Sequence, residues 1–389
     1  MRLKFLLISV FLCNIFFSCK TLNEPAKKNI EDKNCERITL LFAGDIMAHR
    51  PNYNMKNYEK IWKEISPTIK ESDFAFANIE APVDKDLPFS PYPNFNMQPS
   101  YPQEAIKAGF NVFSLVNNHT NDQGLGGIKK TLEWATSVEK NTKNSVRPVY
   151  FCGINEKPHE KISYKIIQNG KWKILFVAVT EILNRPDYRS YLNYVVSTKK
   201  NWEEFSDYLL QLRNENPCDI MVVSIHSDEP EYIRMVEQKR KEYYRSLTEK
   251  CVDVVWTNHP HIVREIELKG ENETKLLKSA IIYGNGNVIS GQRWEPDFNN
   301  PKNPRDDTGD GMMLKLCFRK DLKNPEPYIE KTEKILITTY INTLWEFVIR
   351  FLDDDFIQYL NDNKRTKWAG YIQERKNITE NIKETIIWQ

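Results

Sequence analysis

One pairing recurs along this chain and restricts its fold more than any other feature. A short apolar, β-rich run ends in a residue able to bind a cation or move a proton. Val116-Asn117-Asn118-His119, Ser224-Ile225-His226 and Thr257-Asn258-His259-Pro260-His261 each close such a run, as do Gly44-Asp45 and Asn78-Ile79-Glu80. The chain has six histidines, and four fall in these segments. Imidazole and carboxylate groups gathered at strand ends are what a divalent metal of borderline hardness needs.

The runs predict strands at 37–43, 74–77, 112–116, 149–152, 173–179, 220–225, 252–256, 280–283 and 312–318. Helical spacing predicts helices at 57–71, 103–108, 128–138, 202–214 and 231–250. Asn169-Gly170 inside 162–175 reads as the turn of an antiparallel hairpin. The alternation implies an α/β layered sandwich of mixed β-sheets flanked by helices. Two stretches, 82–102 and 291–311, are long loops, and loops of that length in a compact domain are often functional. Leu344, Phe347, Val348, Phe351, Phe356 and Leu360 share helical spacing, which predicts an amphipathic helical tail over 338–363.

The amino terminus stands apart. Arg2 and Lys4 precede an apolar run from Phe5 to Phe17 that is too short for an ordinary membrane-spanning helix, followed by Ser18-Cys19. This resembles a bacterial lipoprotein signal, in which Cys19 is freed and acylated and tethers the protein to a membrane of the cell envelope. The alternative is a plain signal peptide with an incidental cysteine. The division expected is a signal at 1–18, a polar tether at 19–36, a main domain at 37–320 and a C-terminal helical extension at 321–389. Losing residues 1–18 removes two basic residues and no acidic one, so the formal charge falls from +2 to 0. Balanced charge gives no reason to invoke nucleic acid as a partner. Beyond Cys13 and Cys19 the thiols are Cys35, Cys152, Cys218, Cys251 and Cys317, with no CxxC, which argues against a disulfide scaffold and a cysteine zinc site. One bridge, Cys218 to Cys251, stays open.

In α/β sheets ligands bind outside the carboxyl ends of the strands. Asp45, Asn78 with Glu80, Asn118 with His119, His226, and His259 with His261 all fall at such ends. Alone, His226 would read as a hydrogen-bonded structural histidine. Five strands in series delivering such groups read as one shared site.

The order resembles the calcineurin-like metallophosphoesterase superfamily, and more closely its CapA branch, the poly-γ-glutamate capsule synthesis proteins. Gly44-Asp45-Ile46-Met47-Ala48-His49-Arg50 is similar to that branch's G-D-x-M-x-x-R, Asn78-Ile79-Glu80-Ala81-Pro82 to N-x-E-x-P, and Asn117 through Gly124 to N-N-H-x-x-D-x-G. His259-Pro260-His261 and Tyr283 through Asn287 are similar to its H-P-H and Y-S-x-G-N. The resemblance spans roughly 38–290 and implies a metallophosphoesterase-like fold.

It further implies that Asp45, Glu80, Asn118, His226, His259 and His261 surround one or two divalent ions (Mn, Zn, Fe or Mg). Glu80 would bridge two cations roughly 3.5–4 Å apart, with a hydroxide between them attacking a phosphorus or carbonyl carbon. His119 takes the place of the general acid, oriented by Asp122. Arg50, Asn78, Glu231 and Tyr232 are candidate substrate-binding residues; for Arg50 a surface ion pair is the equal alternative. Met47 stands where phosphoesterases carry a metal-binding histidine. His49 either replaces it or is a loop residue. His226 through Tyr232 carries an extra residue and no glycine relative to the branch's H-W-G-x-E-Y. The implied substrate is poly-γ-glutamate or a related anionic polymer, or a phosphoester, with capsule-synthesis proteins as partners. Two functions stand: a metal-dependent hydrolase or transferase, and a non-catalytic envelope protein that binds the polymer.

Overall fold

A computed structural model describes residues 35–321 and 325–389. The expected signal, Cys19 and nearly all of the tether lie outside the described residues. In chain order the strands are β1 (Cys35–Ile46), β2 (Phe74–Ile79), β3 (Val112–Ser114), β4 (Tyr150–Cys152), β5 (Tyr164–Asn169), β6 (Trp172–Thr180), β7 (Ile220–His226), β8 (Val254–Asn258), β9 (Ile266–Gly270), β10 (Leu277–Ile282), β11 (Asn287–Ile289), β12 (Asp310–Asp321), β13 (Tyr328–Ile341), β14 (Phe347–Phe351) and β15 (Glu384–Trp388). The helices are α1 (Arg50–Tyr53), α2 (Glu59–Trp62), α3 (Ser66–Lys70), α4 (Ser100–Ala108), α5 (Gly124–Thr142), α6 (Lys199–Glu215), α7 (Gln238–Lys250), α8 (Asp354–Asp362) and α9 (Thr366–Glu380).

β1 to β4 form one parallel block, and β6, β7, β8 and β10 a second. Antiparallel β12 and β13 join them into a continuous sheet. The sheet folds over, so that the two blocks face each other. Phe42 of β1 lies 6.1 Å from Trp256 of β8, and Phe76 of β2 lies 5.4 Å from Phe176 of β6. The Trp256 indole donates to Ala43 O at 2.9 Å and fastens the layers. In β6, Ile174, Phe176 and Ala178 join this inner core. Leu175, Val177 and Val179 instead pack with Leu209 of α6 and Leu247 of α7. Burial on both faces is why these strands read as unbroken apolar runs. Each such side chain contributes about 1.5–3 kcal/mol. The layered α/β arrangement with a mixed sheet is therefore what forms, and the hairpin turns at Asn169-Gly170 as expected.

Three local expectations give way. The helix over 57–71 breaks into α2 and α3, because Pro67 lacks the N–H that an unbroken helix needs. The helix over 231–250 begins only at Gln238, leaving 231–237 beside the site described below. Cys218 and Cys251 are free thiols, so the bridge left open does not form.

The largest correction is C-terminal. The helix expected over 338–363 is instead the end of β13, then β14, which pair antiparallel from Ile341↔Phe347 to Ile337↔Phe351, with α8 following. Phe347 and Ile349 point inward while Val348 is half-buried, a period of two. Leu344 lies between the strands and is 71% exposed. The apolar residues fit both periods, and β-branched Thr338, Thr339, Ile341 and Ile349 favour the strand. Since β13 lies between β12 and β10, the C-terminal strands β13, β14 and β15 extend the sheet, and α8 and α9 add two helices.

Candidate metal centre

β1 ends against the backbone that follows β10. The Asp45 N–H donates to Gly286 O at 3.1 Å. A Cβ on Gly44 would lie 1.7 Å from that same oxygen, and Gly286 has φ +69°, so both positions require glycine. This contact fixes Asp45 at the rim. Asn78, at the end of β2, donates from Nδ2 to Asp45 Oδ1 at 2.8 Å and accepts from Asn117 at 3.4 Å. Asn78, expected as a substrate-binding residue, is fully buried and holds Asp45 through this hydrogen bond.

Glu80 follows one residue after β2 and is also fully buried. Its Oε1 has no hydrogen-bond partner and lies 3.8 Å from His226 Nε2 and 3.7 Å from His261 Nε2. His226, at the end of β7, faces Asn118 Oδ1 at 2.9 Å, and its Nδ1 is unpartnered. His261 lies 3.3 Å from Asp45 Oδ2 and 3.1 Å from Asn287 Oδ1, both through Nδ1. His259 and His261 hold left-handed backbone, with φ of 101° and 58°. Such strain costs on the order of 1–3 kcal/mol per residue and gathers at functional sites. Glu80, His259 and His261 can each offer a ligand atom within 4.8 Å of the others, and so can Asp45, Glu80 and His226. The structure therefore brings together the residues expected to surround the metal, with Asn118 joined through His226.

The electrostatics fit a cation. Burial, followed by the neighbouring Asp45 carboxylate, raises the Glu80 pKa well above the ordinary value. Burial lowers His226 well below its usual range, and burial, then His261, lowers His259 to about 3, so both imidazoles keep lone pairs free at neutral pH. Burial is the largest single influence on His261 and opposes its charged form, but the Asp45 carboxylate, Glu231 and Asn287 together outweigh it and raise that pKa. Two buried carboxylates with orphaned lone pairs on Glu80, His226 and His259 are costly unless something positive sits among them. A divalent ion among Asp45, Glu80, His226, His259 and His261 would meet that need.

His119 stands beside this cluster. Its Nδ1 is 2.7 Å from Asp122 Oδ2, which also accepts the Phe95 N–H at 2.8 Å. Phe95, from the proline-rich loop, meets the His119 ring edge-on at 4.7 Å. Asn184 covers the same ring, 3.1 Å from Nδ1, and accepts from Asn118 at 3.2 Å. Sequence reasoning missed Asn184. Its signal was position: β6 is another parallel strand ending at this rim, and Asn184 lies four residues beyond it.

The remaining candidates divide. Tyr232 is partly exposed with its ring 6.2 Å from that of His261, and Glu231 beside it helps burial raise the Tyr232 pKa, so both lie at the rim. Arg50 is exposed at the start of α1 and makes no side-chain hydrogen bond or ion pair with another described residue. Met47 is buried, with its backbone N–H bonded to Ile289 O. His49 accepts from the Gly291 N–H at 3.2 Å and stands outside both ligand groups.

Residues 39–292 match the model of the bacterial capsule synthesis protein PGA_cap family. The chain belongs to that family. Similar proteins include the capsule biosynthesis protein CapA of Bacillus anthracis, 24% identical over 282 residues covering 68% of this chain and 62% of that protein. Another is the PGA biosynthesis protein CapA of Bacillus subtilis strain 168, 25% identical over 266 residues covering 66% of this chain and 64% of that protein. The chain thus spans less than two thirds of the length of either. Among solved structures, a novel phosphatase from Mycoplasma pneumoniae aligns with a TM-score of 0.45 and 14% identity, covering 78% of this chain and 94% of that one.

Proposed function

We propose that this PGA_cap protein is a lipid-anchored, metal-dependent hydrolase or transferase of the cell envelope that acts on poly-γ-glutamate or a related anionic polymer. The observation that carries the proposal is the pairing of buried Asp45 and Glu80 with three imidazoles, beside a separate His119–Asp122 dyad. When bound, a divalent ion supplies Lewis-acid polarisation of the scissile group and activation of water.

The chain's own residues do the rest. Asn78 keeps Asp45 turned toward the ligand cluster, and Asn118 and His226 hold each other. Asp122 accepts a hydrogen bond from the His119 Nδ1–H and balances the charge of the doubly protonated ring, whose Nε2–H would pass its proton to the departing amine or alkoxide and leave the ring neutral. Phe95 and Asn184 fix the ring and limit water around it. Cys19 is assigned as the acylated residue, by which the protein stays on the membrane while its sheet remains aqueous.

Metal analysis of the purified protein, then hydrolysis of bis-p-nitrophenyl phosphate and of γ-glutamyl oligomers, tests the reading. Bound metal with turnover of either substrate supports it. Absence of any divalent metal at neutral pH overturns it. A second reading, polymer binding without chemistry, is favoured by Met47: it is apolar and buried, and His49 is held by Gly291 instead of joining the cluster. Metal and oligomer binding with no turnover of either substrate would select that reading.

A further inference from the structure

Beyond Ile289 the chain folds back over the mouth of the metal centre as a short 3-10 turn, Pro304–Gly309. This turn lies outside the family-matched residues 39–292. Its inner side is held by buried charge. Asp307 meets Arg375 of α9, and Arg234 at 2.6 Å. Asp306 accepts from the Tyr371 hydroxyl at 2.9 Å. Asp310, directly after the turn, accepts from Arg293 and from Arg375, each at 2.7 Å. Thr308 O accepts from Asn287 Nδ2 at 2.8 Å, and Asn287 is the residue whose Oδ1 faces His261. One amide therefore ties the turn to a candidate metal ligand.

Arg305 is treated differently from the acids around it. Each acid of the turn has a partner, but Arg305 makes no ion pair with any described residue. Its Nε donates to Gln292 O at 3.0 Å, which aims the rest of the guanidinium without consuming its other donors. Gln292 accepts from Asn287 at 2.8 Å and donates to the Tyr232 hydroxyl at 3.3 Å, so it belongs to the rim. The Arg305 charge acts on His49 and on Tyr232, a lesser influence in each case than burial. An arginine held by one nitrogen at the edge of a metal cluster, with no carboxylate of its own, suits a planar anionic oxo group.

We propose that Arg305 is the specificity-determining residue for an anionic substrate group, a carboxylate or phosphate oxygen pair next to the scissile bond, and that α9 holds it in place through Asp307 and Asp310. The assignment rests on the hydrolase reading above. It moves anion recognition from Arg50, inside the family-matched segment, to a turn supplied by the C-terminal part of the chain. Glu231, bonded to Tyr232 on the same rim, carries the opposite charge and leaves Arg305 as the side on which an anion enters.

The test measures equilibrium binding and kinetics of the full protein with a γ-glutamyl oligomer, with the same oligomer as its α-methyl esters, and with bis-p-nitrophenyl phosphate. Arg305→Ala should weaken binding and raise KM for the free-acid oligomer about tenfold to a hundredfold, with Arg305→Lys recovering part of it and kcat and metal content little changed. The ester should bind wild type and variant alike. Loss confined to the oligomer identifies the anion as carboxylate, and loss confined to the phosphodiester identifies it as phosphate. Wild-type binding and KM retained by Arg305→Ala for both anionic probes would overturn the proposal alone. A wild-type protein that holds no metal would overturn the hydrolase reading and this proposal with it.

Discussion

Glu80→Gln separates the electrostatic role of this side chain from its shape. Glu80 is fully buried, and its Oε1 has no hydrogen bond. Its close charged neighbour Asp45 has the same sign, no Lys or Arg forms an ion pair with it among the described residues, and His261, 3.7 Å away with a raised pKa, offsets only part of the charge and is shared with Asp45. An uncompensated buried charge costs several kcal/mol, and protonation recovers part of that. Glutamine keeps the volume and the acceptor facing Asn78 while removing the charge, so metal-free Glu80→Gln should be more stable than wild type by about 1–3 kcal/mol. Chains of 150–250 residues gain about 2–4 °C in Tm per kcal/mol, and longer chains less, so a rise of a few degrees is expected in chelator. With metal that advantage closes, and it reverses where it is less than the binding gain. Saturation at a hundred times Kd stabilises wild type by about 2.7 kcal/mol, a gain the variant should lose. Differential scanning calorimetry in EDTA and in excess Mn²⁺ or Zn²⁺ reads both arms. A variant less stable than wild type in chelator, or stabilised equally by metal, would refute the reasoning.

His119→Ala should lower kcat by about a hundredfold to ten-thousandfold while metal content stays at the wild-type level; equal loss of both would make His119 a ligand instead. The metal-free protein should lose stability as pH falls from about 6.5 toward 3, because the folded pKa of His259 is depressed to about 3 and that of His226 lies below its ordinary value. Groups with depressed folded pKa contribute stability that is present above their unfolded pKa, and urea titrations across this range should show the loss shrink in His259→Gln. Arg375→Ala leaves Asp307 and Asp310 with fewer buried partners and should cost about 3–5 kcal/mol in urea unfolding, whereas Arg375→Met, which keeps the packing, should cost less.

Asp45, Glu80, His226, His259 and His261 were legible in the sequence for one reason. Each sits at the carboxyl end of a parallel strand, where an apolar run stops abruptly at a polar residue. The shell around them was harder to read. Asn184, Gln292 and Arg305 come from loops without periodicity, and their proximity depends on how the sheet folds over. Asn78 was identified, but its hydrogen bond to Asp45 was not, because a sequence motif does not say which way an amide points. The C-terminal misreading had a different cause: Phe347 and Phe351, four residues apart, satisfy both a helical and an alternating pattern. Only the pairing of β14 with β13 decides between them.

The most direct test of the central claim is the metal content of the purified wild-type protein at neutral pH, by inductively coupled plasma mass spectrometry, with Glu80→Gln and His259→Ala measured beside it. One or two divalent ions per wild-type chain, reduced or lost in both variants, is the predicted result. A wild-type protein that binds no divalent ion even when one is supplied would contradict it.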